Sequence, residues 1–141
     1  FDNSQGPTGF FQSGTFSAHP IAMAAGLATL EQMTAENLDR LNGLGTRLKE
    51  GLDALFAKQS ISARTVCTGS VFSLYFSEGP VASYRALAAT DKAPLQPLFF
   101  SLLEQGYFLG QPGLGMCSLS LAMDESHIDG LVAAVHKGLA A

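Results

Sequence analysis

The residues best placed to do chemistry form one short run. It is Ser13-Gly14-Thr15-Phe16-Ser17-Ala18-His19-Pro20, directly ahead of the Ala-rich stretch Ile21-Ala22-Met23-Ala24-Ala25-Gly26-Leu27-Ala28-Thr29-Leu30. Pro20 suits the first position of a helix: its ring presets a helical φ, and the N–H it lacks would have had no partner. Ser17 is the best side-chain capper at that entrance. Loop amides, the Thr15 hydroxyl and a nearby helix N-terminus together suit an anion such as phosphate. As spacing alone the signal is weak, because most such loops ahead of helices serve only as caps.

The remaining reactive groups fall into no such pattern. Cys67 and Cys117 sit in apolar, strand-like runs without metal-ligand spacing, and read as reduced, buried thiols of a cytosolic protein. His19, His127 and His136 show no ligand spacing, so no metal site is expected. Lys49, Lys58 and Lys137 fall on polar helix faces and Lys92 in a loop, while Arg40, Arg47, Arg64 and Arg85 read as surface residues. The loop Gly110-Gln111-Pro112-Gly113-Leu114-Gly115 has the glycines of a phosphate cradle but neither its lysine nor its strand-to-helix setting, and reads as a turn. A formal charge of −4 with no basic cluster argues against nucleic acid or an anionic membrane surface as partner. No apolar run is long enough to span a bilayer.

The elements that must position these residues follow from periodicity. Residues 1–11 are rich in breakers and read as an extended loop, with Phe10 and Phe11 marking a surface that something covers. A first helix is expected from about Pro20 to Met33, buried most of the way round because it carries almost no charge before Glu31. A second, capped by Thr34, carries Leu38, Leu41, Leu44, Leu48, Leu52 and Leu55 on one face and ends near Lys58 to Ser60. Residues 63–67 and 71–76 make a hairpin around Thr68-Gly69-Ser70, with Phe72, Leu74 and Phe76 on one face. A short helix fits the Ala-rich stretch before Thr90. A clear one spans Pro94 to Gln105, striped by Leu95, Leu98, Phe99, Leu102 and Leu103 and closed by Gly106. Residues 107–109 and 116–121 read as strands, and Asp124 caps a last helix that buries Ile128, Leu131, Val132, Val135 and Leu139. Helices on one face of a small, mainly antiparallel sheet make an α+β fold. Its expected organisation is a loop-and-helix segment over 1–33 and an α+β domain over 34–141.

The wording of several stretches resembles a known family. Gly14-Thr15 followed by Pro20-Ile21-Ala22-Met23-Ala24-Ala25-Gly26 resembles the segment Gly-Thr-x-x-x-Asn-Pro-x-x-Met-Ala-Ala-Gly of class III aminotransferases. These are pyridoxal-phosphate (PLP) enzymes of fold type I, here closest in wording to the glutamate-1-semialdehyde aminomutase and β-amino-acid aminotransferase branch. Phe99-Phe100 with Leu102-Leu103-Glu104, and Ser118-Leu119 with Asp124 and Ile128-Asp129, continue the resemblance along the chain. It implies the C-terminal third of such an enzyme, with residues 34–141 as its small domain and 1–33 as its cofactor-phosphate loop and interdomain or dimer-interface helix. It also implies that Gly14 and Thr15 bind the phosphate of the neighbouring subunit's cofactor across a homodimer. The family's Asn before the proline is His19 here. The lysine that forms the Schiff base and the acid that pairs with the cofactor ring precede the Gly-Thr pair in the family, so the chain alone is expected to be inert. Some relatives hold a substrate carboxylate with an arginine near the C-terminal strands, and residues 111–115 contain none. The alternative is a stand-alone α+β module that associates through its apolar first helix.

Overall fold

A computed structural model describes residues 14–110 and 115–140. The chain forms two compact units, one reaching Ala35 and the other beginning at Glu36. The elements in order are α1 (Pro20–Gln32), α2 (Ala35–Gln59), β1 (Ala63–Thr68), β2 (Val71–Phe76), α3 (Tyr84–Ala88), α4 (Leu95–Glu104), β3 (Cys117–Ser118) and α5 (Glu125–Ala140).

In the second unit the three strands form one antiparallel sheet in the order β1-β2-β3. Thr68 pairs with Val71, so Gly69 and Ser70 alone make the turn, with Gly69 at φ +58° in the first central position as a II′ hairpin requires. The register puts Ala63 opposite Phe76, Thr65 opposite Leu74, and Cys67 opposite Phe72. Directly opposed residues share a face, and that face closes the core: Ala63, Thr65, Phe72 and Phe76 are buried and Leu74 packs against them. The Thr65 N–H faces the free edge of β1, where it donates to Asp53 Oδ1 of α2 at 3.4 Å, so a helix carboxylate covers part of that edge. The fold is α+β, with α2, α4 and α5 sharing one core with the inner face of the sheet.

α2 buries Leu41, Leu44, Gly45, Leu48, Leu52 and Phe56. The expected stripe leaves the core only at its start, where Leu38 is 40% exposed; at the far end Leu55 packs against the core beside the buried Phe56. Gly45 is required by close approach, since a Cβ there would overlap the carbonyl oxygen of Gly69 in the hairpin turn. The helix is thus held directly against the turn.

α4 buries Leu95, Leu98 and Leu102 and ends in a Schellman motif. Tyr107 N–H donates to Leu102 O at 2.8 Å, Gly106 N–H donates to Leu103 O at 3.0 Å, and Gly106 holds φ +87°. That motif overturns one expectation. Residues 107–109 are not a strand, because the first of their amides is turned back onto the helix. Of residues 116–121, only Cys117 and Ser118 pair, against Phe72 and Val71.

α2 ends in the same six-to-one closure, Ile61 N–H to Phe56 O at 2.9 Å. Here Ser60 occupies the left-handed position at φ +57°. α5 buries Ile128, Leu131, Ala134 and Val135, with Val132 and Leu139 packed beside them. Cys67 and Cys117 are free and only partly buried, and burial pushes both thiols above their ordinary pKa. Both pair with Phe72 from opposite sides, two strand spacings or about 10 Å apart. Disulfide formation needs Cα atoms within about 7 Å, so the thiols stay separate.

Candidate functional site

The first unit is built around the entrance to α1. Ser17 N–H donates to Gly14 O at 3.1 Å and His19 N–H to Phe16 O at 3.1 Å, two successive turns that lead into the helix. Pro20 takes the first helical position, as expected. The cap is His19, not Ser17: the His19 ring accepts the Ile21 N–H at Nδ1, 3.3 Å away. Accepting there requires a bare Nδ1, which puts the ring proton on Nε2. An asparagine oxygen could accept the same N–H at this position. The Phe16 ring stands edge-on to the imidazole at 6.0 Å.

This cap changes where an anion could bind. Pro20 has no N–H and the N–H of Ile21 is taken, so the helix mouth offers little beyond the Ala22 amide. The available donors lie earlier, in the turn. At Gly14 an added Cβ would fall 2.6 Å from Ser17 Oγ, so the Ser17 side chain fills the place a side chain would take. Thr15 is exposed, and no described residue bonds to its hydroxyl. The turn offers only neutral donors. Glu31 is the one formally charged residue between positions 14 and 35, so the cations a phosphate needs must come from elsewhere.

The second unit offers ion pairs rather than a reactive constellation. Arg47 reaches Asp129 with two hydrogen bonds of 2.8 Å and lies 3.3 Å from Glu125. The Asp129 hydrogen bond, aided by both carboxylate charges, raises the Arg47 pKa, and the same bond holds Asp129 below the usual carboxylate range. Arg40 donates to Leu121 O at 2.6 Å and Met123 O at 2.8 Å, and Arg64 to Glu78 O at 2.6 Å. These arginines are exposed as expected, but they also latch loops to helices and strands. Nothing in the local spacing marks that role, because the partners are 14 to 83 residues away.

Asp124 caps α5 as expected, accepting from Ser126 N–H at 2.9 Å, His127 N–H at 3.3 Å and Ser126 Oγ at 2.6 Å. Those bonds, the Ser126 hydroxyl first, hold its pKa well below the ordinary range. Arg40, Arg47, Glu50, Asp124 and Glu125 line a cleft of about 630 Å³ whose guanidinium groups are already engaged. Lys49, Lys58, Lys92 and Lys137 are all exposed. Among the described residues no cluster of His, Cys, Asp and Glu could hold a metal, and no helix is long and apolar enough to cross a membrane. The glycine-rich loop lies, for residues 111–114, outside the described residues, as do Phe10 and Phe11.

Comparison with known proteins gives this arrangement its context. No family model matches the sequence. Over 131 residues the chain is 34% identical to a glutamate-1-semialdehyde 2,1-aminomutase of Sorangium cellulosum, covering 93% of this chain and 30% of that protein. A glutamate-1-semialdehyde 2,1-aminomutase of Thermus thermophilus is also 34% identical, over 92% of this chain and 31% of its own. Among solved structures, a β-phenylalanine aminotransferase from Variovorax paradoxus superimposes with a TM-score of 0.73 at 33% identity, over 99% of this chain and 32% of that one. A glutamate-1-semialdehyde aminomutase from Pseudomonas aeruginosa, solved with PMP, superimposes at 0.78 with 19% identity, a likeness of fold alone.

Fold and sequence together make the chain similar to a segment of these aminotransferases and aminomutases. The chain belongs to the class III aminotransferases. It spans about a third of the length of the relatives it matches.

Proposed function

We propose that the chain is the C-terminal part of a class III aminotransferase or aminomutase that moves an amino group on an amino acid or amino ketone. PLP, when bound, supplies the electron sink for that chemistry. The residues of this chain bind and enclose. Gly14 and Thr15 bind the phosphate held by the neighbouring subunit of a cytoplasmic homodimer, Thr15 through its N–H and hydroxyl. The His19 cap holds α1 in register behind the turn, and residues 34–141 cover the active site as the small domain. The single observation that carries this reading is the 34% identity to aminomutases over 93% of the chain.

Two experiments test it. The 141-residue chain, mixed with PLP and an amino donor and then desalted, is expected to retain no cofactor and transfer no amino group. Stoichiometric retention with turnover overturns the assignment of the chemistry to missing segments. In the product of the complete open reading frame, Thr15→Ala is expected to weaken PLP binding about tenfold or more, the worth of one hydrogen bond to a charged group. Unchanged affinity removes Thr15 from the site. The exposed apolar residues of α1 also favour the second reading, a stand-alone association module. An open reading frame with no segment ahead of Phe1 would select it.

A further inference from the structure

α4 is apolar on two sides. Leu95, Leu98 and Leu102 face the core, yet Phe100 is 51% exposed and Leu103 is 45% exposed. Three residues apart, these two are neighbours on the outer surface of the helix. Phe108, just past the Schellman turn, is 73% exposed and meets Phe99 edge-on at 6.0 Å, while Phe99 meets Phe100 at 5.4 Å. The result is one continuous aromatic patch. The sole charged residue of α4 is Glu104. α2 and α5 differ: they turn Arg47, Lys49 and Glu50, and Glu125, Asp129 and Lys137, toward water. A helix that is apolar on both sides has protein on both sides.

The size of the patch bears on what covers it. Phe100, Leu103 and Phe108 together present on the order of 300 Å² of apolar surface. A stable complex between separate chains takes about 800 Å² from each partner. The patch is too small to hold a second copy by itself, but enough to dock a covalently tethered segment, whose effective concentration is in the millimolar range. The relatives are about three times as long as this chain.

We infer that the Phe100–Leu103–Phe108 face docks against the portion of the same polypeptide that the relatives carry outside the aligned third, an inference that rests on the function proposed above. Hydroxyl-radical footprinting tests it on two samples, the 141-residue chain and the product of the complete open reading frame. Phe100 and Phe108 are expected to label at least fivefold more slowly in the longer protein. A Phe100→Gln/Phe108→Gln variant is expected to raise protease nicking of the longer protein severalfold, while the 141-residue chain keeps its urea midpoint. A longer protein with equal labelling rates overturns this inference and leaves the family reading standing. An open reading frame with no further segment overturns both. Protection that rises with concentration in the 141-residue chain itself makes a second copy the occupant and overturns the assignment.

Discussion

α1 and α5 are both mainly apolar helices, 13 and 16 residues long, and they meet opposite fates. α5 sorts its side chains. Ile128, Leu131, Ala134 and Val135 point into the core, while Glu125, Asp129 and Lys137 stay in water. α1 sorts nothing: Ile21, Met23, Leu27 and Leu30 are spread around it, each more than half exposed, and none of its residues is buried. The difference teaches where burial is arranged. An amphipathic helix completes its burial inside its own chain, whereas a helix without a polar side has no single inward face for one core to cover.

The largest expected effect sharpens that contrast. Leu48→Ala or Ile128→Ala, at positions 0% and 1% exposed, should cost about 2–5 kcal/mol in urea unfolding of the 141-residue chain. Leu27→Ala in α1 should stay within about 0.5 kcal/mol. A Leu27→Ala cost as large as that of Leu48→Ala would break the comparison, because α1 would then belong to this chain's own core.

Next in size is a pair of glycines two residues apart in α2. A Cβ at Gly45 strikes the backbone of the hairpin turn, and the backbone cannot yield as a side-chain tip can. Gly45→Ala should therefore cost about 1–3 kcal/mol. At Gly43 nothing lies within 4 Å, and Gly43→Ala should gain up to about 1 kcal/mol of helix propensity. Equal effects at the two sites would mean that α2 does not lie against the turn.

The two helix closures give effects of about 1–2 kcal/mol with opposite signs. Ser60 holds a left-handed φ that glycine adopts freely, so Ser60→Gly should raise stability by about 1 kcal/mol. Gly106 already has the residue its φ demands, and Gly106→Ala should lose about 1–2 kcal/mol although nothing lies near the added methyl. Chemical denaturation of both variants checks the signs.

These particulars show what the sequence made legible. α2, the hairpin, α4 and α5 could be read because their apolar periods and closing residues are local: Gly106 ends α4, and Gly69 turns the hairpin. The short β3 could not be bounded from residues 116–121, because a two-residue pairing depends on where β2 lies and leaves no period behind. Residues 107–109 looked like a strand by composition, but the preceding helix claims the Tyr107 amide. The Arg40 and Arg47 latches reach partners more than 80 residues away, beyond any local pattern. As for Gly14 and Thr15, spacing alone made them an ordinary cap, and only the family's wording set them apart. The actual capper, His19, was hidden because histidine is a rare acceptor at that position.

That cap gives a smaller expected effect. His19→Asn keeps an acceptor for the Ile21 N–H and should leave α1 helicity nearly unchanged. His19→Ala should weaken it by about 0.5–1 kcal/mol, seen as fraying of the first turn in Cα chemical shifts. Equal shifts in the two variants would deny the ring its capping role.

The smallest expected effect is the acid response at the start of α5. Asp124 and Asp129, at the start of α5, have folded-state pKa values held below the ordinary carboxylate value of about 3.9. A depressed carboxylate contributes stability that is present above its unfolded pKa and disappears as pH falls through the folded one. Stability should therefore be flat with respect to these groups from neutrality to about pH 5, and decline below about pH 4. Asp124→Asn should remove part of that decline. Both side chains are exposed, so their contributions differ in kind under salt. The Arg47–Asp129 attraction should fade at 1 M salt, where the screening length is about 3 Å. The Asp124 cap, made by hydrogen bonds of 2.9 and 3.3 Å from the Ser126 and His127 amides, should persist. An acid titration followed by NMR should move the first turn of α5 as the Asp124 carboxylate protonates, and Asp124→Asn should abolish that movement. Movement unchanged in Asp124→Asn would show that the cap carries none of the pH dependence assigned to it.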